Sequence, residues 1–369
     1  MKIIICGGHL TPAVAVIEEL RKESEILFIG RKYPLEGDSA ISPEYKIITQ
    51  MGIPFVSLTT GRLQRKLTLH TIPSLLKIPI GFFQALWQVG KFKPDIILSF
   101  GGYLAVPVVL AGWLWHVPVV THEQTVVSGL ANRIISFFAQ KICVSWPDSV
   151  DHFPREKVVL TGNPIRQEIF QKNQNSKIKI PNGRPAIYIT GGSLGSHAIN
   201  EVVADCLRQL LEKYVVIHQC GDSEKYDDYG KLKSASRRIK TNLQGRYILT
   251  KYVGPDDIGW VLDKADLVVG RSGANTVTEL AALGKPAIFI PLPWAGDGEQ
   301  EKNAQLLVNV GTATVLPQEK LSGPELIRQI DQMIGNLAAI KKNSEAAAKL
   351  IDLSAAKNVL EVINEIYTP

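Results

Sequence analysis

A chain of 369 residues, 45% hydrophobic and 21% charged, holds enough apolar material for two packed domains and too much for a disordered or fibrous protein. Its four cysteines, Cys6, Cys143, Cys206 and Cys220, form no CxxC pair and lie in or beside apolar runs, which argues against a disulfide framework or a structural zinc site. The formal charge of +6 is mild, and the basic residues are not interleaved with aromatics, so no nucleic-acid partner is expected.

In chain order, KIII predicts a first strand and CGGHLTP a glycine turn into a helix. That turn could cradle a phosphate, bind a dinucleotide or hold a catalytic base. The N-terminus lacks the long apolar core of a secretory signal, and a cytoplasmic location is expected. EILFIG predicts the second strand. Between Glu44 and Asp95 there is no acidic residue, whereas Lys46, Arg62, Arg65, Lys66, Lys77, Lys91 and Lys93 fall in the window. The same window holds SLLKIPIGFFQALWQVGKF, in which Leu75, Leu76, Ile80, Phe82, Phe83, Leu86 and Trp87 sit beside lysines. Apolar insertion and attraction to acidic headgroups would add there, giving a site for an anionic membrane surface; a core helix with solvated lysines is the other reading.

Residues 96–120 contain no Asp, Glu, Lys or Arg, enough by count to span a bilayer. Gly101, Gly102, Pro107 and Pro118 interrupt the run, and a strand, a glycine turn, a short helix and a second strand fit it better. The polar segment QKNQNSKIKIPNGRP, residues 171–185, reads as a linker. After it the pattern restarts: AIYITGGSLGSHAIN repeats strand, glycine pair and helix, and YVVIHQ, DLVVG and PAIFIP supply further strands. Apolar runs alternating with amphipathic segments are the signature of parallel sheets covered by helices. The expected fold is therefore α/β, two doubly wound Rossmann-like domains facing each other across a cleft. Their expected extents are 1–163 and 164–349; the last segment, from roughly Leu337 to Tyr367, reads as helix throughout, and its part within residues 350–369 is left to complete the first domain or close the second.

Ligands of such sheets bind at the carboxyl ends of the strands. GGSLGS at 191–196 has the form of a phosphate turn, but it is not GxGxxG, and no acidic residue follows at dinucleotide spacing. RSGANTVTELAALGKPAIFIPLP places Ser272 and Gly273 at another strand-to-helix turn and Glu279 one helical turn on. A carboxylate there can accept both hydroxyls of a ribose while free N–H groups at the helix start face a diphosphate; a plain helix-stabilising role is the alternative. No Asp-x-Asp occurs, so no metal site is expected.

GGHLTPAVAVIEEL, FGGYLAVPVVLAG, PVVTHEQTVVSGLANR, LTGNPIR, ITGGSLGSHAIN and RSGANTVTELAALGKPAIFIPLP with EQEKNA together resemble the MurG family of peptidoglycan glycosyltransferases, over nearly the whole chain and in order. The resemblance implies the GT-B fold of glycosyltransferase family 28 and an inverting transfer of N-acetylglucosamine from UDP-GlcNAc to undecaprenyl-diphospho-muramyl-pentapeptide. It also implies peripheral attachment to the cytoplasmic membrane face, with cell-wall synthesis proteins as candidate partners. UDP-GlcNAc is then a substrate, no cofactor is tightly bound, and stimulation by a divalent cation is left open.

Carried over motif by motif, the resemblance assigns the uracil to the backbone at Val253 and the ribose to Glu279. It assigns the phosphates to Ser193, Arg166 and the turn of Ala274, Asn275 and Thr276, which continues into Val277 and Thr278, and the sugar to Gln300. On the acceptor side it assigns Cys6, Gly7 and Gly8, with His9 near the acceptor hydroxyl and Glu123 in the acceptor cleft, while Thr125 stands where the family has an asparagine associated with sugar recognition. A neutral imidazole works as a base near pH 7, which makes His9 the first choice of catalytic base and Glu123 the second. Two departures stand out. The family's GGTGGH is shortened to CGGH, and its HEQN reads HEQT, with Thr125 in place of asparagine.

Overall fold

The computed structural model describes residues 1–20, 24–33, 41–61, 71–223 and 226–367. They form two compact units, one of Met1–Arg166 with the C-terminal stretch from Asp352, the other of Gln167–Ile351.

The first unit is a seven-stranded, all-parallel sheet. Its strands are β1 (Lys2–Cys6), β2 (Glu25–Gly30), β3 (Phe55–Ser57), β4 (Ile96–Ser99), β5 (Val119–Glu123), β6 (Lys141–Val144) and β7 (Val158–Leu160). The order β3-β2-β1-β4-β5-β6-β7 reverses direction at β1, so the carboxyl ends of β1 and β4 open a crevice. The helices are α1 (Leu10–Leu20), α2 (Pro43–Gln50), α3 (Thr71–Phe92), α4 (Ala105–Leu114) and α5 (Leu130–Phe138). β1 and β4 carry apolar runs without alternation because helices cover both faces: Ile3, Ile5 and Leu98 join one buried cluster, Ile4, Cys6 and Ile97 the other. The charge-free run of residues 96–120 is β4, a glycine turn, α4 and the start of β5. No helix among the described residues is long and apolar enough to cross a membrane.

The second unit repeats the plan with six parallel strands. They are β8 (Ala186–Thr190), β9 (Val215–Gln219), β10 (Tyr247–Thr250), β11 (Leu267–Gly270), β12 (Ala287–Phe289) and β13 (Ala313–Val315), in the order β10-β9-β8-β11-β12-β13. Its helices are α6 (His197–Lys213), α7 (Asp228–Arg237), α8 (Thr241–Gln244), α9 (Pro255–Lys264), α10 (Ala274–Ala282), α11 (Glu299–Val310), α12 (Gly323–Gly335), α13 (Leu337–Lys341) and α14 (Ser344–Ala348). The polar segment before β8 is strapped to α9 rather than loose. Ser176 Oγ donates to Asp257 at 2.6 Å, Trp260 Nε1 donates to the Ile178 carbonyl at 3.1 Å, and Lys172 pairs with Asp263 at 2.8 Å.

The C-terminal segment is not one helix. It breaks after α14, where Asp352 accepts the Ser354 N–H at 2.8 Å in a turn that stops one helix and starts α15 (Ala355–Tyr367). α15 packs on α1, placing Val359, Val362 and Ile363 in the cluster of Ile3, Val16 and Ile17. Burying each such side chain contributes about 1.5–3 kcal/mol, and Asn358 Nδ2 adds a bond to the Thr161 carbonyl at 3.1 Å.

Candidate active site

In the first unit the β1–α1 and β4–α4 turns lie on each other. Gly8 N–H donates to the Gly101 carbonyl at 3.1 Å, and Gly7 has φ +133°. A Cβ on Gly7 would come within 2.8 Å of the Phe100 backbone, so no other residue fits this contact. His9 follows, half-buried at the threshold of α1, whose first turn accommodates Pro12 without losing a needed N–H. Burial pushes the His9 pKa down and the Glu123 charge opposes it, so the imidazole favours its neutral, proton-accepting form. Cys6 is a correction to the expected acceptor set. As the last residue of β1 its side chain points into the sheet's apolar layer, wholly buried with Ile4 and Ile29, and burial raises its thiol pKa far above the usual range.

Glu123 ends β5, buried. Its Oε1 accepts from Thr125 N (3.1 Å) and Thr125 Oγ1 (2.8 Å), its Oε2 from Gly129 N (3.1 Å) and Asn132 Nδ2 (2.9 Å). A carboxylate so surrounded organises its loop. Thr125 is turned inward as well, its hydroxyl lying between Glu123 Oε1 and the Val127 carbonyl. Neighbouring His122 is structural: Nε2–H donates to the Gly162 carbonyl at 2.9 Å, Nδ1 accepts from Gln124, and burial pushes its pKa down to about 4.

In the second unit a cavity of about 600 Å³ opens at the carboxyl ends of the strands. Its walls are the turn from Thr190 to Ala198, Tyr226, Arg271, Gly273, Thr276, Leu292, Trp294, Gln300 and Gln318. Gly195, at φ +79°, lets that turn press against the end of β9, where a Cβ would overlap the Cys220 carbonyl. Gln219 fastens the turn from behind. Its Nε2 donates to Thr190 Oγ1 and the Gly192 carbonyl, and its Oε1 accepts Val253 N–H at 2.8 Å. Arg271 is held by the Ile290 and Pro291 carbonyls, Ser196 Oγ and Gln318 Oε1. Burial lowers its pKa to about 10, which leaves it cationic at neutral pH.

Ser193, Thr276 and Gln300 thus share one cavity, and Gln300 Oε1 accepts the Leu292 N–H at 2.9 Å. Side chains of the rest of the α10 turn face inward. Ala274 and Val277 are core residues, and Thr278 Oγ1 donates to the Ala274 carbonyl at 2.8 Å, so a ligand there meets backbone and not these side chains. Asn275 is half-buried, and Glu279 sits further along α10, 8% exposed and outside the cavity wall. Val253 is buried with its N–H given to Gln219. Arg166 is the last residue of the first unit, half-buried.

Models of the glycosyltransferase family 28 N-terminal and C-terminal domains match residues 6–144 and 186–359. A relative from Clostridium botulinum is named UDP-N-acetylglucosamine–N-acetylmuramyl-(pentapeptide) pyrophosphoryl-undecaprenol N-acetylglucosamine transferase. It is 35% identical over 378 aligned residues, 100% of this chain and 99% of the relative. This chain belongs to glycosyltransferase family 28. A Bacillus cereus relative of the same name, numbered 2, is 34% identical over 99% of both chains. The crystal structure of Acinetobacter baumannii MurG has a TM-score of 0.68 at 27% identity, covering 99% of each chain.

For a family 28 transferase the sites missed in the sequence are informative. Asn132, inside the quoted SGLANR, braces Glu123. Arg271, inside RSGA, and Trp294, just beyond β12 in PLPWAGDG, line the cavity. His197 also lines it: Nδ1 faces Asp228 at 2.7 Å, and its ring stacks on Tyr226 with centroids 3.9 Å apart. Position at a strand's carboxyl end was the available signal for Arg271 and Trp294.

The transferase's first unit also carries an apolar surface. α3 buries Gly81, Ala85 and Val89, half-buries Phe82 and Leu86, and exposes Ile80, Phe83 and Trp87. α4, packed beside it, adds Trp113 and Leu114 with Trp115 just beyond, and α5 adds Leu130 and Phe137. Lys91 Nζ lies 4.9 Å from the Trp87 ring centre. Arg62, Arg65 and Lys66, and the side chains of Leu75 and Leu76, lie outside the described residues.

Proposed function

We propose that this family 28 transferase moves N-acetylglucosamine from UDP-GlcNAc to the muramyl C4 hydroxyl of undecaprenyl-diphospho-N-acetylmuramyl-pentapeptide, with inversion at the anomeric carbon. Identity of 35% along the full length of a relative with that named activity carries the reading. His9 is the base in this proposal. A neutral imidazole beside two glycine turns can take the acceptor's proton as the hydroxyl attacks in line, while Gly7 and Gly8 let the backbone approach the acceptor diphosphate. Glu123 acts through its loop and its charge, which tempers the loss of basicity that burial imposes on His9.

The leaving UDP carries its charge into the second unit. The first N–H groups of α10 and Ser193 are proposed to meet it, with the ribose on Glu279 and the uracil on the Val253 carbonyl. No tightly bound cofactor is needed in this scheme, and a divalent cation acts at most as a stimulating solute. Thr125, whose hydroxyl is committed to its own loop, gives no reason to prefer another sugar. The exposed aromatics of α3, α4 and α5 beside Lys91 support peripheral attachment to an anionic membrane, on the cytoplasmic face where the lipid-linked acceptor is made.

The test is transfer by purified protein to the lipid-linked acceptor with a panel of UDP-sugars. Transfer from UDP-GlcNAc above all others is expected. Preference for another UDP-sugar, or no transfer to this acceptor, overturns the reading.

A further inference from the structure

Of the six tryptophans in the chain, five have a clear partner. Trp146 and Trp260 donate to the carbonyls of Gln124 and Ile178, Trp115 donates to that of Leu86, Trp113 packs edge-on to Phe138, and Trp87 lies under Lys91. Trp294 has no hydrogen-bond, ring or cation partner among the described residues, and it is 73% exposed. A single exposed aromatic needs no explanation by itself; what distinguishes Trp294 is that it lines a cavity.

Its setting is fixed and concave. Trp294 sits in a turn closed by Ala295 N–H donating to the Leu292 carbonyl at 3.0 Å. Leu292 N–H in turn donates to Gln300 Oε1, and left-handed Asp297 and Gly298 lead the chain directly into α11. Trp294 and Gln300 therefore belong to one tied segment, and both line the cavity of the second unit. The bond from Leu292 orients the Gln300 amide, leaving its NH2 as the donor side.

We propose that Trp294 is a specificity-determining platform for the donor's sugar, its indole face taking the apolar C–H face of the pyranose while the Gln300 NH2 reads a ring hydroxyl. The inference rests on the proposed UDP-sugar reading of this cavity. An aromatic face suits a pyranose because the ring's axial C–H bonds present an apolar surface between its polar hydroxyls. The diphosphate end of the cavity, by contrast, is lined by the glycine turn and Thr276, which offer N–H and hydroxyl groups.

The experiment is calorimetric titration of UDP and of UDP-GlcNAc into the full chain, its Trp294→Ala variant and its Trp294→Phe variant. Trp294→Ala is expected to bind UDP-GlcNAc about 3- to 10-fold more weakly while holding UDP within about twofold, and Trp294→Phe to retain most of the sugar's contribution. Tryptophan emission of the unaltered chain should respond to UDP-GlcNAc and not to UDP, a difference that Trp294→Phe abolishes. UDP-GlcNAc binding unchanged in Trp294→Ala, or UDP and UDP-GlcNAc weakened equally, overturns the platform while the donor reading stands. Failure of the unaltered chain to bind either compound overturns the donor reading and the platform with it.

Discussion

Asn132 Nδ2 donates to Glu123 Oε2 at 2.9 Å and, with the Gly129 N–H on the same oxygen, ties the beginning of α5 to the end of β5. Both residues are buried, and Asn132 Nδ2 also lies 3.3 Å from the His122 carbonyl. The Glu123 carboxylate is thereby fixed at a set position, from which its charge acts on His9. Asn132→Leu removes a charge-assisted bond and leaves a buried acceptor short of a donor, which costs about 1.5–3 kcal/mol of stability. Denaturant unfolding should register that loss. Turnover should fall too, with UDP affinity kept, because the change lies in the first unit, to which the acceptor site is proposed to belong.

His9→Ala should lower turnover by about 10²–10⁴-fold, the usual contribution of a positioned general base, and leave UDP binding intact. Rapid-quench turnover with the lipid acceptor, alongside UDP calorimetry, separates the two. Normal turnover would remove His9 from the chemistry.

Acid should loosen both units through histidines the reaction does not use. Burial pushes His122 from its ordinary 6.5 down to about 4 and His218, held between Asn200 and the Tyr247 hydroxyl, down to about 3. The native state therefore binds fewer protons than the unfolded chain between these values and 6.5. Stability is complete above pH 6.5 and is lost as pH falls toward 4 and 3, by roughly 2 kcal/mol per ring at pH 5. Unfolding midpoints at pH 7 and pH 5 should show this, and His218→Asn should flatten the dependence of the second unit. Equal midpoints at both pH values in the unaltered protein would contradict the assignment.

Phe83, Trp87 and Phe137 are the most exposed aromatics of α3 and α5. Changing all three to Ser should release the protein from vesicles rich in anionic lipid without lowering its melting temperature, since none of them supports the core. Phe82, half-buried beside Phe83, is better left unchanged. Added salt should weaken binding of the unaltered protein by screening its lysines. Vesicle sedimentation would read both effects, and salt-independent binding to neutral vesicles would count against the basic contribution.

Eight apolar runs, from KIII to PAIFIP, are legible as strands because a parallel strand covered on both faces needs no alternation and stands out from its flanks. The two glycine turns after β1 and β8 announce the restart of the plan for the same local reason. Strands β3, β7 and β13, three residues each and half-buried at best, carry too little apolar weight to be read, and β6 (KICV) and β10 (YILT), four residues each, go unread as well. The direction of a side chain at a turn was not legible either. Cys6, Val277 and Thr278 stand in motifs to which the resemblance assigned ligand contacts, yet their side chains serve the core, and Glu123 spends its carboxylate on its own loop. Position along a motif determines where backbone passes, whereas the neighbours that claim a side chain come from other strands. The same holds for α15: its amphipathic pattern is local, but its partner α1 lies at the opposite end of the chain, and the bond from Asn358 to Thr161 spans 197 residues. Local chemistry in the sequence determined the elements and the turns; only tertiary packing decided which core α15 completes and that Trp294 lines the cavity of the second unit.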